Sequence, residues 1–190
     1  MTIQTQIAQK TLGADVRTLR KARGLTLSQM AESMGKSVGW LSQVERDLST
    51  PTAEDIAELA KTLDVSEAIF GLEETIPEIE QGYIVRANAR RGISERQTGL
   101  KEGLLSPDLT DDFEMIHSVF EPGSKTAEPV LRATQEVAYI IQGKLDLVIG
   151  GRRFTVGAGD SFRIRGEMFE WSNPYPDPAI AIWVIAPPVY

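Results

Sequence analysis

The stretch Ser37-Val38-Gly39-Trp40-Leu41-Ser42-Gln43-Val44-Glu45-Arg46 holds the side chains of this sequence best suited to contact bases and phosphates. An amide such as Gln43 can pair bidentately with adenine, and the methyls of Val38 can meet the thymine methyl. Ser37, Trp40, Ser42 and Arg46 suit phosphate contacts, which position a protein on DNA without reading its sequence. Gly39 keeps this surface slim and supplies no base contact. Just upstream, Thr26, Ser28 and Gln29 offer further polar groups. Catalytic chemistry has much less to draw on. His117 is the single histidine and there is no cysteine. Thiolate catalysis, disulfides and cysteine zinc sites are therefore excluded, and the sequence offers no Ser-His-Asp set for this single histidine to serve. No catalytic residue, metal ligand or cofactor is expected.

The elements that would position the polar stretch are helices, over residues 10–72. Leu12, Val16 and Leu19 give a first helix over residues 11–23, with Gly24 at its C-terminal cap. Thr26-Leu27-Ser28-Gln29 matches a capping box and opens a second helix that buries Leu27, Met30, Ala31 and Met34. Gly35 makes a turn, and Ser37 caps a third helix over residues 38–46, anchored by Leu41 and Val44. Thr50-Pro51 reads as the start of a fourth helix, with Ile56, Leu59, Ala60 and Leu63 inward. Residues 66–70 form a short fifth. Two short helices joined by a glycine turn, the second with a slim polar face, is the geometry of a helix-turn-helix.

Residues 73–82 are acidic, carry no helical or strand period and read as a linker. From residue 83 onward, short runs rich in β-branched and aromatic residues alternate with Gly, Pro and Asp clusters. They are 83–86, 113–120, 136–142, 144–149, 152–156, 161–164, 169–172 and 180–185, the pattern of a sandwich or barrel.

Of the 190 residues, 42% are hydrophobic and 25% charged, an ordinary globular balance. The net charge of −7 is unevenly spread. Between Lys10 and Arg46 seven basic residues face three acidic ones, a local +4, whereas the remainder holds 13 basic and 24 acidic residues, −11. The basic end suits nucleic acid, and the acidic body disfavours nonspecific adhesion to it. There is no apolar run of membrane-spanning length and no apolar signal core in the polar first ten residues, so a cytoplasmic protein without a membrane partner is expected.

Leu19-Arg20, Gly24-Leu25-Thr26, Ala31, Gly35, Ser37, Leu41-Ser42, Glu45-Arg46 and Pro51 fall at the positions of the phage-repressor (XRE, Cro/cI-type) helix-turn-helix family, which the chain resembles over residues 12–71. The resemblance implies an all-α five-helix fold like that of lambda repressor, a double-stranded DNA operator as partner, and a buried ion pair between Arg20 and Glu45. Asp47, where the family usually has glycine, and Gly39-Trp40 depart from its pattern. Further on, Gly123, Glu136 and Gly143, then Gly159, Asp160 and Asn173, stand at the spacing of the two cupin motifs. Residues 83–190, with a core at 113–186, thus resemble an all-β cupin double-stranded β-helix. The stretch over residues 99–109, Gly-Leu-Lys-Glu-Gly-Leu-Leu-Ser-Pro-Asp-Leu, looks like the segment between the two domains of XRE-cupin regulators.

The cupin metal positions are not filled. Pro129 and Leu131 occupy the His-x-His sites, and Phe169 or Glu170 the second-motif histidine. Enzymatic cupins need about three imidazoles and a carboxylate, so a metal-free barrel is expected to bind a small molecule instead. Alternation from Glu136 places Ala138, Ile140 and Gln142 on one face and Tyr139 on the other. Arg132, Glu136, Arg163, Glu170 and Trp171 are the candidate ligand-binding groups. The carboxylates and indole suit an amine or amino acid, and the arginines a small acid. The resemblance further implies a homodimer held through the barrel. Two readings compete with this one: a cupin-fold enzyme with an accessory DNA-binding domain, and a constitutive repressor whose barrel only dimerises.

Overall fold

A computed structural model of the chain describes residues 11–65, 67–71, 77–80, 82–93, 97–107, 109 and 111–188. The expected domain start at Lys10, Ser66 and linker residues 73–76 and 81 lie outside them. The chain divides into two compact units, one running through Arg91 and taking in residues 107–110, the other formed by residues 92–106 and those from Asp111 onward.

The first unit has α1 (Leu12–Ala22), α2 (Leu27–Ser33), α3 (Val38–Val44) and α4 (Ala53–Leu63). Where a fifth helix was expected, Glu67–Phe70 forms a single 3-10 turn. Each helix starts on a hydroxyl: Thr11, Thr26, Ser37 and Thr52 each accept a backbone N–H from three residues on. Thr26 and Gln29 complete the expected capping box. The start of α4 is displaced from Thr50-Pro51, because Thr52 and Asp55 form a second reciprocal box two residues later. Helix α3 likewise stops at Val44, short of Arg46. Val16, Leu19, Met30, Leu41, Leu59 and Leu63 are all fully buried and make one core.

Asp47 explains why glycine is usual at its position. Its φ is +56°, a left-handed conformation that costs a side-chain-bearing residue about 1 kcal/mol. Its carboxylate offsets that cost by accepting the Thr11 hydroxyl at 2.6 Å and the Gly13 N–H at 3.0 Å, so the end of α3 is fastened to the start of α1. Gly13 is required there, since a Cβ would sit 2.3 Å from the Val44 carbonyl oxygen.

Lys36, before α3, lies 2.5 Å from the Asp55 carboxylate on α4. That ammonium, with the Thr52 N–H and hydroxyl, holds the Asp55 pKa at about 2. The folded pKa is depressed, so the stabilisation is complete above the unfolded value near 4 and disappears as pH falls towards 2. The melting-temperature difference between wild type and Asp55→Asn, followed by circular dichroism, is expected to be largest near neutrality and to close by about pH 2. A constant difference across that range would show that the charge contributes nothing.

The second unit is a two-sheet barrel. One sheet has the order β1-β2-β8-β3-β6, formed by β1 (Leu100–Leu104), β2 (Glu114–Phe120), β8 (Ala179–Ala186), β3 (Gln135–Gln142) and β6 (Ser161–Arg165). The other has the order β5-β4-β7, formed by β5 (Arg152–Gly157), β4 (Lys144–Ile149) and β7 (Phe169–Ser172). All ladder pairs are antiparallel. The expected strand at 83–86 is absent: Tyr83 lies in a turn and Ile84–Arg86 pair with no strand. Conversely, the stretch read as an interdomain segment supplies β1, an edge strand hydrogen-bonded to β2.

Side-chain alternation sets the barrel interior. Glu114, Ile116, Ser118 and Phe120 of β2 are buried, as are Glu136, Ala138 and Ile140 of β3 and Ala179, Ala181, Trp183 and Ile185 of β8. Gln142 does not continue the inward row. A bulge between Ile140 and Gln142 breaks the alternation and leaves Gln142 exposed. Tyr139 faces outward and is half exposed.

Candidate DNA interface and barrel cavity

Helix α2, the turn at Gly35 (φ +62°) and α3 present the polar face expected from the sequence. Thr26, Ser28, Gln29, Ser37, Val38, Gly39, Gln43 and Arg46 are exposed, and Trp40 and Ser42 are partly so. The interior of this pair is apolar: Leu41 and Val44 point down from α3, and Met30 and Ala31 from α2. Several exposed groups are already oriented. The Ser37 hydroxyl accepts the Trp40 N–H at 3.1 Å, which leaves its own proton for an acceptor. The Gln29 carbonyl accepts the Thr26 N–H at 2.9 Å, which turns the Gln29 amino group outward from that bond. Arg46 Nε donates to the Ser42 carbonyl at 3.0 Å, and Lys36 Nζ lies 5.0 Å from the Trp40 ring centroid, a cation–π distance.

Beneath this face Arg20 of α1 grips Glu45 with two hydrogen bonds, Nε to Oε1 at 2.5 Å and Nη2 to Oε2 at 3.0 Å. Its Nη1 donates to the Leu25 carbonyl at 2.7 Å. The pair is buried, and the Glu45 hydrogen bond holds the Arg20 pKa above its ordinary value. Arg20 and Glu45 therefore set the angle of α3 and present no charge to DNA.

The barrel holds a cavity of about 90 Å³ that is partly open to solvent. Of the five expected ligand groups, Arg132, Glu136 and Trp171 line it. Glu136 Oε1 accepts the Thr134 hydroxyl at 2.6 Å and lies 3.6 Å from Arg132 Nη1. Trp171 meets Phe120 edge-on, with centroids 4.7 Å apart. Arg163 and Glu170 lie elsewhere. Arg163 faces an outer groove beside Phe154, and Glu170 an outer groove on the β5-β4-β7 sheet beside Asp146 and Arg153. The parity of a strand explains both: Ile164 and Trp171, one residue on, point inward. Sequence reasoning missed Glu102, Glu114 and Trp183, which line the cavity. For Glu114 the alternation with Ile116, Ser118 and Phe120 was the available signal.

A cupin metal does not fit these residues. Pro129 and Leu131 offer no donor atom, and Leu131 is 63% exposed. His117 alternates with the buried Ile116 and Ser118 and so lies on the opposite face of β2 from the cavity. Among the described residues, no group of three or more His, Cys, Asp or Glu side chains is arranged to hold a metal ion. Nor is any helix among them long and apolar enough to cross a membrane.

Residues 11–69 match the helix-turn-helix domain family, and residues 116–185 match the cupin domain family. The HTH-type transcriptional regulator PuuR of Escherichia coli (strain K12) is 26% identical over 155 residues, covering 80% of this chain and 81% of that one. The HTH-type transcriptional regulator SutR of the same organism is 26% identical over 160 residues, 83% of each chain. A solved HTH_3 family transcriptional regulator from Vibrio cholerae is 19% identical, with a TM-score of 0.45 over 94% of this chain and 96% of that one. With a capped helix pair presenting a polar face in its first unit and an antiparallel β-barrel in its second, the chain is a DNA-binding transcriptional regulator that joins a helix-turn-helix domain to a C-terminal cupin domain, similar over most of its length to PuuR and SutR.

Proposed function

We propose that this DNA-binding regulator reads a specific operator as a homodimer and that its barrel responds to a small metabolite. The observation that carries the DNA reading is the exposed face of α3, with Gln43 and Val38 towards base edges and Ser37, Trp40, Ser42 and Arg46 towards phosphates, on a helix pinned from below by Arg20 and Glu45. Thr26, Ser28 and Gln29 would add phosphate contacts, and Gly39 would allow close approach. A lone helix-turn-helix reads only a few base pairs, so two-fold pairing on half-sites about one helical turn apart is the economical arrangement. The outer face of the β1-β2-β8-β3-β6 sheet supports a second copy as partner. Val137, Tyr139, Ile141 and Val184 are each 40–50% exposed on neighbouring strands, an apolar face of the kind that self-association covers.

The effector, an amine, amino acid or small acid, would enter the barrel cavity and act by changing how readily both reading helices engage one operator. No catalytic step, cofactor or membrane partner belongs to this reading, and its setting is the cytoplasm. Selection of random-sequence duplexes by the full chain, followed by titration at several salt concentrations, tests it. The expected product is one two-fold symmetric site, bound at least about 10³-fold more tightly than unrelated duplex. Equal binding to all duplexes would overturn it.

A further inference from the structure

The cavity combines two chemistries that neither a plain amine nor a plain acid satisfies. Glu114 on β2 and Glu136 on β3 both register against Ile185 of β8, so they lie on one inward row, two strand spacings (about 10 Å) apart at the backbone. Glu114 is fully buried and Glu136 is 5% exposed. Glu102 of β1 joins them in the lining, with its Oε1 accepting the Ser118 hydroxyl at 2.9 Å. Among the described lining residues these three carboxylates share the cavity with one guanidinium, that of Arg132. Carboxylates held among Phe120, Trp171 and Trp183 rings favour a cation, by charge and by cation–π attraction.

The second chemistry is opposite in kind. Trp183 is 94% buried and lines the cavity, and among the described residues its indole Nε1–H has no hydrogen-bond partner. A buried donor left unpaired is destabilising, and a ligand acceptor would remove that cost. An alkylammonium ion has no acceptor to give it. A plain carboxylic acid has one, but would enter against the negative row. Gln97 Oε1, also buried and unpaired in the lining, asks for an N–H. The space is smaller than the roughly 150 Å³ that admits benzene, so the molecule is short and slender.

We infer that the barrel takes a short-chain compound carrying both a primary ammonium group and an oxygen acceptor, a small amino acid or amino alcohol, with the ammonium on the Glu114–Glu136 row and the oxygen on Trp183 Nε1. This rests on the reading of the barrel as a ligand site and names the class it accepts.

The test uses the full-length chain, thermal shift and calorimetry, and four probes: β-alanine, ethanolamine, propylamine and propionate. β-Alanine and ethanolamine are expected to bind saturably, at least tenfold more tightly than propylamine or propionate. Trp183→Phe, which keeps an aromatic ring in the core, removes that advantage and leaves propylamine unchanged. Glu136→Gln weakens all three ammonium probes and is the second variant should Trp183→Phe not fold. Equal affinity for propylamine or propionate, no binding by any probe, or an undiminished β-alanine affinity in folded Trp183→Phe overturns the inference. A parallel titration against the selected operator separates the two claims. If β-alanine binds and operator affinity does not move, the sensing role fails and the ligand class stands. If the operator is bound specifically and no probe binds, the ligand class alone fails.

Discussion

Glu45→Ala is expected to destabilise the helical unit by about 3–5 kcal/mol, enough to unfold much of a unit this small at 37 °C. The side chains of Arg20 and Glu45 are 10% and 5% exposed, so removing the carboxylate strands a guanidinium in the core. Of its three described hydrogen bonds, only the one to the Leu25 carbonyl survives. The replacement Arg20→Met with Glu45→Met removes both charges at once and is expected to cost far less, because nothing charged is left buried. Urea unfolding followed by helical circular dichroism distinguishes the two. A loss below about 1 kcal/mol in Glu45→Ala would mean that water reaches the pair and that α3 is oriented by its apolar contacts alone. Because the barrel is a separate compact unit, its own transition is expected to stay where it is in wild type.

The helices were legible because their signals are local. A hydroxyl at each N-cap, a 3-4 apolar spacing and a glycine with positive φ at Gly24 or Gly35 act within one turn. The start of α4 was misplaced for the same reason. Thr50-Pro51 and Thr52-x-x-Asp55 are both valid starts, and the second satisfies two backbone groups reciprocally. Strands depend on partners, and there the sequence speaks less clearly. Tyr83–Arg86 has the composition of a strand and, among the described residues, no strand beside it, whereas β1 was hidden by Gly103 and by the charged Lys101 and Glu102 between its leucines.

The site divides in the same way. Every residue expected on the α2–α3 face is exposed or partly so, since helical spacing decides exposure there. In the barrel, Glu170 and Trp171 are neighbours on one strand and cannot both face one cavity, nor can Arg163 and Ile164. Which member of each pair points inward depends on register with β4 and β3, and register is a property of the folded sheets. Glu102 escaped notice because a carboxylate between Lys101 and Gly103 reads as solvated until the strands that bury it are in place, and Glu114 because its inward parity with Ile116, Ser118 and Phe120 was not followed to the start of the run.

Gln43→Ala is expected to weaken binding to the selected operator by about 1–3 kcal/mol, roughly five- to 150-fold, and to relax the base preference at one position of each half-site. The Gln43 side chain is exposed, and the structural bonds at this residue, from Arg46 N–H and Leu48 N–H, go to its backbone carbonyl, so the fold loses nothing when the amide is removed. An unchanged melting temperature is therefore part of the expected result. Arg46→Ala provides the contrast. A phosphate contact carries no sequence information, so its loss should weaken operator and unrelated duplex alike and lower the salt dependence by about one counterion per subunit. If Gln43→Ala behaved as Arg46→Ala is expected to, weakening all sequences equally, the amide would be a phosphate contact, and base reading would fall to Val38 and to the shape of the duplex.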